Sequence, residues 1–142
     1  EGGAFVPGAL IVRGDYAKDN PEHVAKFLAV YLRGWSWANA NKTEAIAMMK
    51  KFYEQGGVTI SEASMRKEFD TRPTFNLSQQ LANMNRTGAG STTDGWFTNM
   101  GEFMKGTGAI PAVPGAGEYI TDEFMKRVAA DPKLSAFANN TK

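Results

Sequence analysis

The chain has 142 residues, of which 42% are apolar, and its 16 Lys and Arg residues nearly balance 15 Asp and Glu, for a net charge of +1. This length fits one compact domain, and this apolar fraction supports a hydrophobic core. The balanced charge argues against the basic stripe that a nucleic-acid surface needs and against a polybasic membrane patch. Because the chain has no cysteine, disulfides, thiolate catalysis and cysteine-ligated metals are excluded.

The first residues are expected to form a loop or linker. Residues 1–8 are rich in Gly and Pro. The chain begins Glu-Gly-Gly rather than with Met, which indicates a processed or cut polypeptide. It carries no recognisable signal peptide, and no apolar run is long enough to cross a bilayer, so we expect no membrane insertion.

Residues 9–13, with the sequence ALIVR, are the one predicted β-strand. The run is short, apolar and β-branched at its centre, and Gly14 and Asp15 close it. An apolar run without alternation is typical of a strand that is covered on both faces. One strand cannot form a sheet alone, so this prediction places its partner strands outside the sequence.

The rest of the chain has helical patterns. Asn20, Pro21 and Glu22 are typical of a helix start, and the first helix is predicted to run to about Asn39. Further helices are predicted from Thr43 to Gln55, from Ser61 to Asp70, from Leu77 to Asn85, from Thr92 or Thr93 to Lys105, and from Thr121 to the short turn at Asp131-Pro132.

Apolar side chains recur in these helices at the i, i+3, i+4, i+7 spacing of a buried face. Trp37 falls outside this pattern and is expected to meet solvent or a partner. The side chains expected to be buried are Val24, Phe27, Leu28, Tyr31, Leu32, Trp35, Ile46, Met49, Phe52, Tyr53, Met65, Phe69, Trp96, Phe97, Met100, Phe103, Met104, Phe124, Met125, Val128 and Ala129.

No motif in the sequence favours catalysis. His23 is the only histidine, and a metal site needs a cluster of ligands, so we interpret it as a surface residue. Residues 88–90 and 106–108 each have the pattern G-x-G. Neither follows a predicted strand or carries the Lys-Ser/Thr of a phosphate-binding loop, and both are interpreted as turns. We therefore predict that the chain is not an enzyme and binds no metal or cofactor.

Five stretches in order resemble the C-terminal part of bacterial periplasmic solute-binding proteins of ATP-binding-cassette (ABC) importers. The similar group is the nitrate, sulfonate and taurine type, with its thiamine-precursor-binding relatives. The resemblance spans nearly the whole chain. The stretches are DYAKDNPEHVAKFL, NKTEAIAMMKKFY, SEASMRKEF, DGWFTNMGEFMKGTGAI and YITDEFMKRV.

The resemblance implies the C-terminal part of a two-lobed α/β fold of type II, mostly α here with one short strand. Residues 1–8 would be the crossing between lobes, and residues 9–142 would complete the first lobe. Of the residues present, Gly3, Phe5 and Pro7 would lie near the ligand, on the hinge side of the cleft.

The function implied is capture of a small, anionic or sulfonate-like solute in the cleft between the lobes and its delivery to a membrane permease. The partners implied are that ligand, the permease and a missing N-terminal portion of the same protein, with no nucleic acid and no cofactor. The implied location is the periplasm, or the outer surface of a Gram-positive cell through a lipid anchor, after removal of a signal peptide from the precursor.

Two other functions stay open. The first is an enzyme of the thiamine-pyrimidine synthesis type, which shares the family's fold but depends on a histidine and a cysteine-rich segment. The second is a free-standing helical interaction module. In such a module the predicted apolar strand at residues 9–13 would have no partner strand, which disfavours this alternative.

Overall fold

The computed structural model describes residues 8–88 and 90–142, which contain helices and no β-strand. None of the described helices is long and apolar enough to cross a membrane. The helices are α1 (Gly14–Asp19), α2 (Pro21–Ala40), α3 (Lys42–Gln55), α4 (Glu62–Thr71), α5 (Leu77–Asn83), α6 (Thr92–Gly106), α7 (Glu123–Ala130) and α8 (Pro132–Ala138), with a 3-10 turn at Ala116–Glu118 before α7.

The predicted strand at residues 9–13, and with it the two-lobed α/β fold, is wrong for this structure. Residues 8–13 form no regular element, and the side chain of Ile11 is 95% exposed. A strand needs a neighbouring strand for its N–H and C=O groups, and the described residues supply none, so the β-propensity of this run is not realised. Gly14 begins helix α1, which the sequence patterns did not predict.

Helix α2 is the centre of the larger of two hydrophobic clusters. It packs against α7 and α8. Ala25, Ala29 and Leu32 of α2 are almost fully buried, in one cluster with Val128 of α7 and Ala138 of α8. Small side chains allow helices to approach closely, so this contact fixes how the three helices pack. The same cluster contains Ala17, Val24, Leu28, Leu77 and Phe124.

The second cluster lies between α3 and α4. Ala45 and Ile46 of α3 and Met65 and Phe69 of α4 are buried there. Trp35 reaches this cluster from α2, with its ring centroid 6.4 Å from that of Phe69. Trp37, Met49, Tyr53 and Ile60 are half-buried against the same cluster. The C-terminal half of α2 therefore connects the two clusters.

Helix α6 lies beside these clusters and is attached at few points. Its one buried residue is Gly101, where an added Cβ would lie 2.6 Å from Cγ1 of Val113. The rings of Phe75 and Trp96 stack at 5.9 Å, and those of Phe97 and Tyr119 meet edge to face at 6.1 Å. Phe103, which was predicted to be buried, is 72% exposed.

The apolar patterns predicted too much burial. Val24, Leu28 and Leu32 of α2 are buried as expected, but Phe27 is 60% exposed and Tyr31 is also exposed. Phe27 and Tyr31 are exposed because α7 and α8 cover one side of α2, whereas the row of side chains that contains Phe27 lies on another side. Phe52, Met104 and Ala129, which were also predicted to be buried, are exposed. The predictions for Ile46, Met65, Phe69, Phe124 and Val128 are confirmed.

The chain exposes more surface than its mass requires. Its accessible area is 9631 Å², whereas a compact monomer of 15.5 kDa exposes about 7,200 Å². Residues 1–7 can account for at most about 950 Å² of the difference, which is the whole area of that many unfolded residues. The described residues therefore expose more than ~1,000 Å² beyond the area expected of a compact monomer.

The two isoleucines that differ most in burial should respond differently to truncation. Ile46→Ala removes a side chain that is 2% exposed and should lower the free energy of unfolding by ~2–5 kcal/mol. Ile11→Ala should change it by less than about 0.5 kcal/mol, because Ile11 packs on little else. Urea unfolding followed by circular dichroism measures both. A cost above about 1 kcal/mol for Ile11→Ala would show that residues 9–13 are packed in solution.

Candidate functional site

The residues that the resemblance places near a ligand, Gly3, Phe5 and Pro7, lie outside the described residues. The described chain that follows them contributes to two surface depressions on either side of helix α1. The side chains that line these two depressions determine what this part of the chain can bind.

The first depression has a volume of ≈ 420 Å³. Ile11 and Val12 give it an apolar wall, and Arg13 places a guanidinium group beside that wall. An apolar surface next to a cation suits a solute with a hydrocarbon part and an anionic head. Asp15, Tyr16, Asp19 and Asn20 complete the lining.

Arg13 is already paired within this depression. Its Nε donates to Oδ1 of Asp15 at 3.1 Å, and its Nη2 donates to Oδ2. The hydrogen bond from Arg13, followed by one from the backbone N–H of Tyr16, lowers the pKa of Asp15 below its usual value of 3.8. Both side chains are exposed, so an anion at Arg13 would compete with Asp15 and with water. This surface alone can bind an anion only weakly.

Tyr16 and His23 lie close together near the same depression. The Tyr16 hydroxyl is 3.5 Å from Nδ1 of His23, at the upper limit for a hydrogen bond, and both side chains are exposed. Within residues 8–88 and 90–142, no three His, Cys, Asp or Glu side chains are arranged to hold a metal ion. His23 therefore lies on the surface, where the sequence placed it, in a weak polar contact.

The second depression, of ≈ 380 Å³, lies between α1 and the start of α7. Two cations, Lys18 and Arg127, line it. Nη2 of Arg127 donates to Glu123 at 2.9 Å, and its Nη1 lies 3.4 Å from Oε1 of Glu22. Phe124 and Ala17 form its floor and belong to the larger cluster. The ion pairs of Arg127 join α2 to α7, so Arg127 is already paired with carboxylates of the chain.

Asp94 is the strongest candidate by electrostatics. Its pKa is lowered from 3.8 to about 2, chiefly by the hydrogen bond from Arg86 and further by hydrogen bonds from Ser91, against the effect of burial. Nε and Nη2 of Arg86 each donate to one Asp94 oxygen at 2.8 Å, and Nη2 also donates to the carbonyl of Ile120 at 2.9 Å. A shifted pKa in a cleft can indicate a functional site.

The hydrogen bonds of Asp94 instead hold the start of helix α6 in place. Oδ2 of Asp94 accepts the backbone N–H of Ser91 at 3.1 Å, and the Ser91 hydroxyl accepts the backbone N–H of Asp94 at 3.0 Å. This capping box begins α6, at Ser91 rather than at the predicted Thr92 or Thr93. The Arg86–Asp94 pair thus fastens α6 to the segment before α7.

The described glycines of the two G-x-G patterns lie at the ends of α6, and Gly106 is the last residue of that helix. Gly88 and Gly90 have φ values of +82° and +114° in the loop before α6, and Gly108 has +76° in the turn after it. Residues other than glycine rarely adopt these values. These three positions therefore favour glycine on backbone grounds.

Comparison with known proteins found no family model, no curated protein and no solved structure that matches this chain. The family resemblance therefore rests on the five sequence stretches alone. Those stretches coincide with most of α1 and the first part of α2, with α3, with α4, with α6 and its following turn, and with α7.

Removing the charge of Asp94 should destabilise the chain in a pH-dependent way. A carboxylate whose pKa is lower in the folded chain, about 2 against 3.8, stabilises above the unfolded pKa and loses this effect as the pH falls through the folded one. Asp94→Asn should therefore cost ~1–2 kcal/mol at pH 7, allowing for solvent screening, and progressively less between about pH 4 and pH 2.

Chemical denaturation at several pH values checks this expectation. Glu62→Gln is a suitable control, because Glu62 pairs with Arg66 at 3.4 Å on an exposed surface and should cost under ~0.5 kcal/mol. An equal cost of Asp94→Asn at pH 7 and near pH 2 would mean that shape rather than charge holds α6.

Proposed function

We propose that this chain is part of the ligand-binding component of an ABC import system that works in the periplasm. It captures a small anionic or sulfonate-like solute together with further polypeptide, and the complex delivers the solute to a membrane permease. The support from sequence is the ordered set of five stretches, each of which coincides with helices of the structure.

One structural observation carries the proposal. The exposed apolar residues Ile11 and Val12 and the guanidinium group of Arg13 line the same depression. An alkanesulfonate has complementary chemistry, with a hydrocarbon part for the apolar wall and an anionic head for the guanidinium. Burying the apolar part contributes ~25 cal/mol per Å², and exclusion of water strengthens the ionic contact.

The same depression cannot enclose a solute by itself. A small-molecule site buries most of the ligand's surface and converges several polar groups on it. Here Asp15 competes for Arg13, and solvent reaches both groups. Capture therefore requires a second surface that covers residues 10–13, and further polypeptide would supply that surface.

A free-standing helical interaction module is the second candidate. The observation in its favour is that the described residues are helical without a strand, and that α2 and α6 expose large apolar side chains. Exposed apolar patches of this kind mark surfaces that bind other proteins. This candidate predicts a protein partner and no solute.

Calorimetry with taurine, alkanesulfonates, nitrate and pyrimidine precursors tests the first candidate. The 142-residue chain should bind none of them more tightly than about millimolar, since one screened cation contributes little. The full product of the gene that encodes this chain should bind an anionic or sulfonate-like solute at about micromolar Kd, a difference of ~4 kcal/mol.

Arg13→Ala in the full gene product should weaken this binding at least about tenfold, and Arg66→Ala, a surface arginine paired with Glu62, should leave it unchanged. Failure of the full product to bind any of these solutes would contradict the import function. Micromolar binding to the 142-residue chain alone would contradict the need for a second surface.

A further inference from the structure

Residues 87–119 leave the rest of the chain and return to it at one place. They contain helix α6 and the 3-10 turn at Ala116–Glu118, and we call them the α6 segment. Arg86 lies directly before the segment, and its Nη2 donates to the carbonyl of Ile120, directly after it, at 2.9 Å. The same guanidinium group donates to Asp94 near the start of α6. One side chain therefore joins the two ends of the segment and fastens α6 to them.

The α6 segment lies outside both hydrophobic clusters. As far as the structure describes it, none of its residues belongs to the cluster of α2, α7 and α8 or to the cluster of α3 and α4. Its described residues that are buried are Ser91, Gly101 and Ala116. Burial of apolar surface is the dominant favourable term in folding, so the segment is held less firmly than α2, which packs in the centre of the larger cluster.

The helix and the turn of the segment stabilise each other. Helix α6 packs on the 3-10 turn, and the rings of Phe97 and Tyr119 meet edge to face at 6.1 Å. Gly101 of the helix lies against Val113 of the loop between them. An isolated helix of 15 residues is only marginally stable in water. Loss of one element therefore removes the support of the other, and we expect the segment to unfold as a whole.

The attachment of the segment to the rest of the chain includes an ion pair and a ring contact. Nε and Nη2 of Arg86 each donate to Asp94 at 2.8 Å, and the rings of Phe75 and Trp96 stack at 5.9 Å. Because the ends of the segment already meet, an unfolded segment would be a loop closed at Ile120. The entropic cost of closing a loop grows slowly with its length, so the remaining helices can stay folded.

We propose that the α6 segment is an order–disorder switch, which detaches and unfolds as one unit while α2–α5, α7 and α8 stay folded, and that the guanidinium group of Arg86 holds it in the ordered state. Unfolding separates Trp96 from Phe75 and makes both rings available to a partner. Segments that order or disorder on binding are an established kind of conformational switch, and they come from the least stable parts of a protein. The switch is independent of solute capture, since residues 10–13 lie outside the segment.

Hydrogen exchange of the 142-residue chain, followed residue by residue by NMR at several urea concentrations, tests the proposal. Amides of α6 and of the 3-10 turn should share one protection factor, at least about tenfold below that of α2. Their exchange should also depend less on urea, because unfolding of the segment alone exposes less surface than global unfolding. Equal protection and equal urea dependence of α6 and α2, or exchange that becomes gradually slower from the ends of α6 to its centre, would overturn the proposal.

Ile46→Val distinguishes unfolding of the segment from unfolding of the whole chain. Ile46 is buried in the cluster of α3 and α4, which stays folded in the proposed open state. The variant should therefore speed exchange in α2 and α3 about fivefold, but exchange in α6 less than about twofold. An equal acceleration in α6 and α2 would show that α6 unfolds only with the rest of the chain, contrary to the proposal.

Arg86→Ala and Arg66→Ala form a matched pair. Their side chains are similarly exposed, 34% and 43%, but Arg66 pairs with Glu62 on α4, outside the segment. Arg86→Ala should speed exchange in α6 at least about fivefold, and exchange in α2 by a similar factor, because every opening starts from the ordered state. Arg66→Ala should change either by less than about twofold. Exchange in α6 that is unchanged by Arg86→Ala, or changed equally by the two variants, would contradict the role of Arg86.

Discussion

The contact of α2 with α7 and α8 is the constraint on which the rest of the structure depends. Ala25 and Ala29 are small enough for Val128 and Ala138 to share one cluster with them, and Leu32 is buried in the same place. This contact uses the side of α2 on which small residues recur. The larger rings at Phe27 and Tyr31 are thereby turned away from α7 and α8, toward surfaces that the described residues leave open.

The same constraint explains why the second cluster is small. Only the C-terminal part of α2, at Trp35 and Trp37, reaches α3 and α4. Ile46 and Met65 are fully buried there, but Phe52 and Met48 of α3 have no helix above them. The described helices leave these side chains of α3 uncovered, and exposed apolar patches mark surfaces that bind other molecules.

Electrostatics limits what the surface can bind. Arg13, Arg86 and Arg127 each lie against a carboxylate of the same chain, and Arg86 in addition holds the carbonyl of Ile120. A guanidinium group that already has a carboxylate partner attracts a further anion less than a free one. Among these three, Arg13 has the most exposed side chain and adjoins an apolar wall, so the proposed solute capture would depend on it more than on the overall charge of the chain.

Much of the fold followed from local chemistry. Pro21 at the first turn, the Ser61 cap and the glycines after Gln55 placed the ends of α2, α3 and α4 within about two residues. The strand at residues 9–13 could not be judged locally, because strand formation depends on a partner strand that is often distant in the sequence. Helix α1 was missed because Gly14 and Asp15 resemble a turn as much as a helix start.

Periodicity located the apolar helices but could not say which of two apolar faces is buried. In α2 the rows through Val24 and Phe27 are both apolar, and only the position of α7 and α8 distinguishes them. The candidate site was harder still, because its predicted residues lie outside the described part of the chain. The depression near Arg13 depends on α1, which no sequence signal had indicated.

Residues 10–12 and the exposed rings of Phe27 and Tyr31 on α2 differ in what a covering surface has to supply. The two rings belong to a 20-residue helix whose backbone is already hydrogen-bonded, so only side chains remain to be covered. Residues 10–12 lie outside any helix or strand, so their backbone groups also need partners or water. A surface that covers them must therefore supply hydrogen bonds as well as apolar contacts. On the proposed import function, the same surface would also supply polar groups to an anionic solute at Arg13.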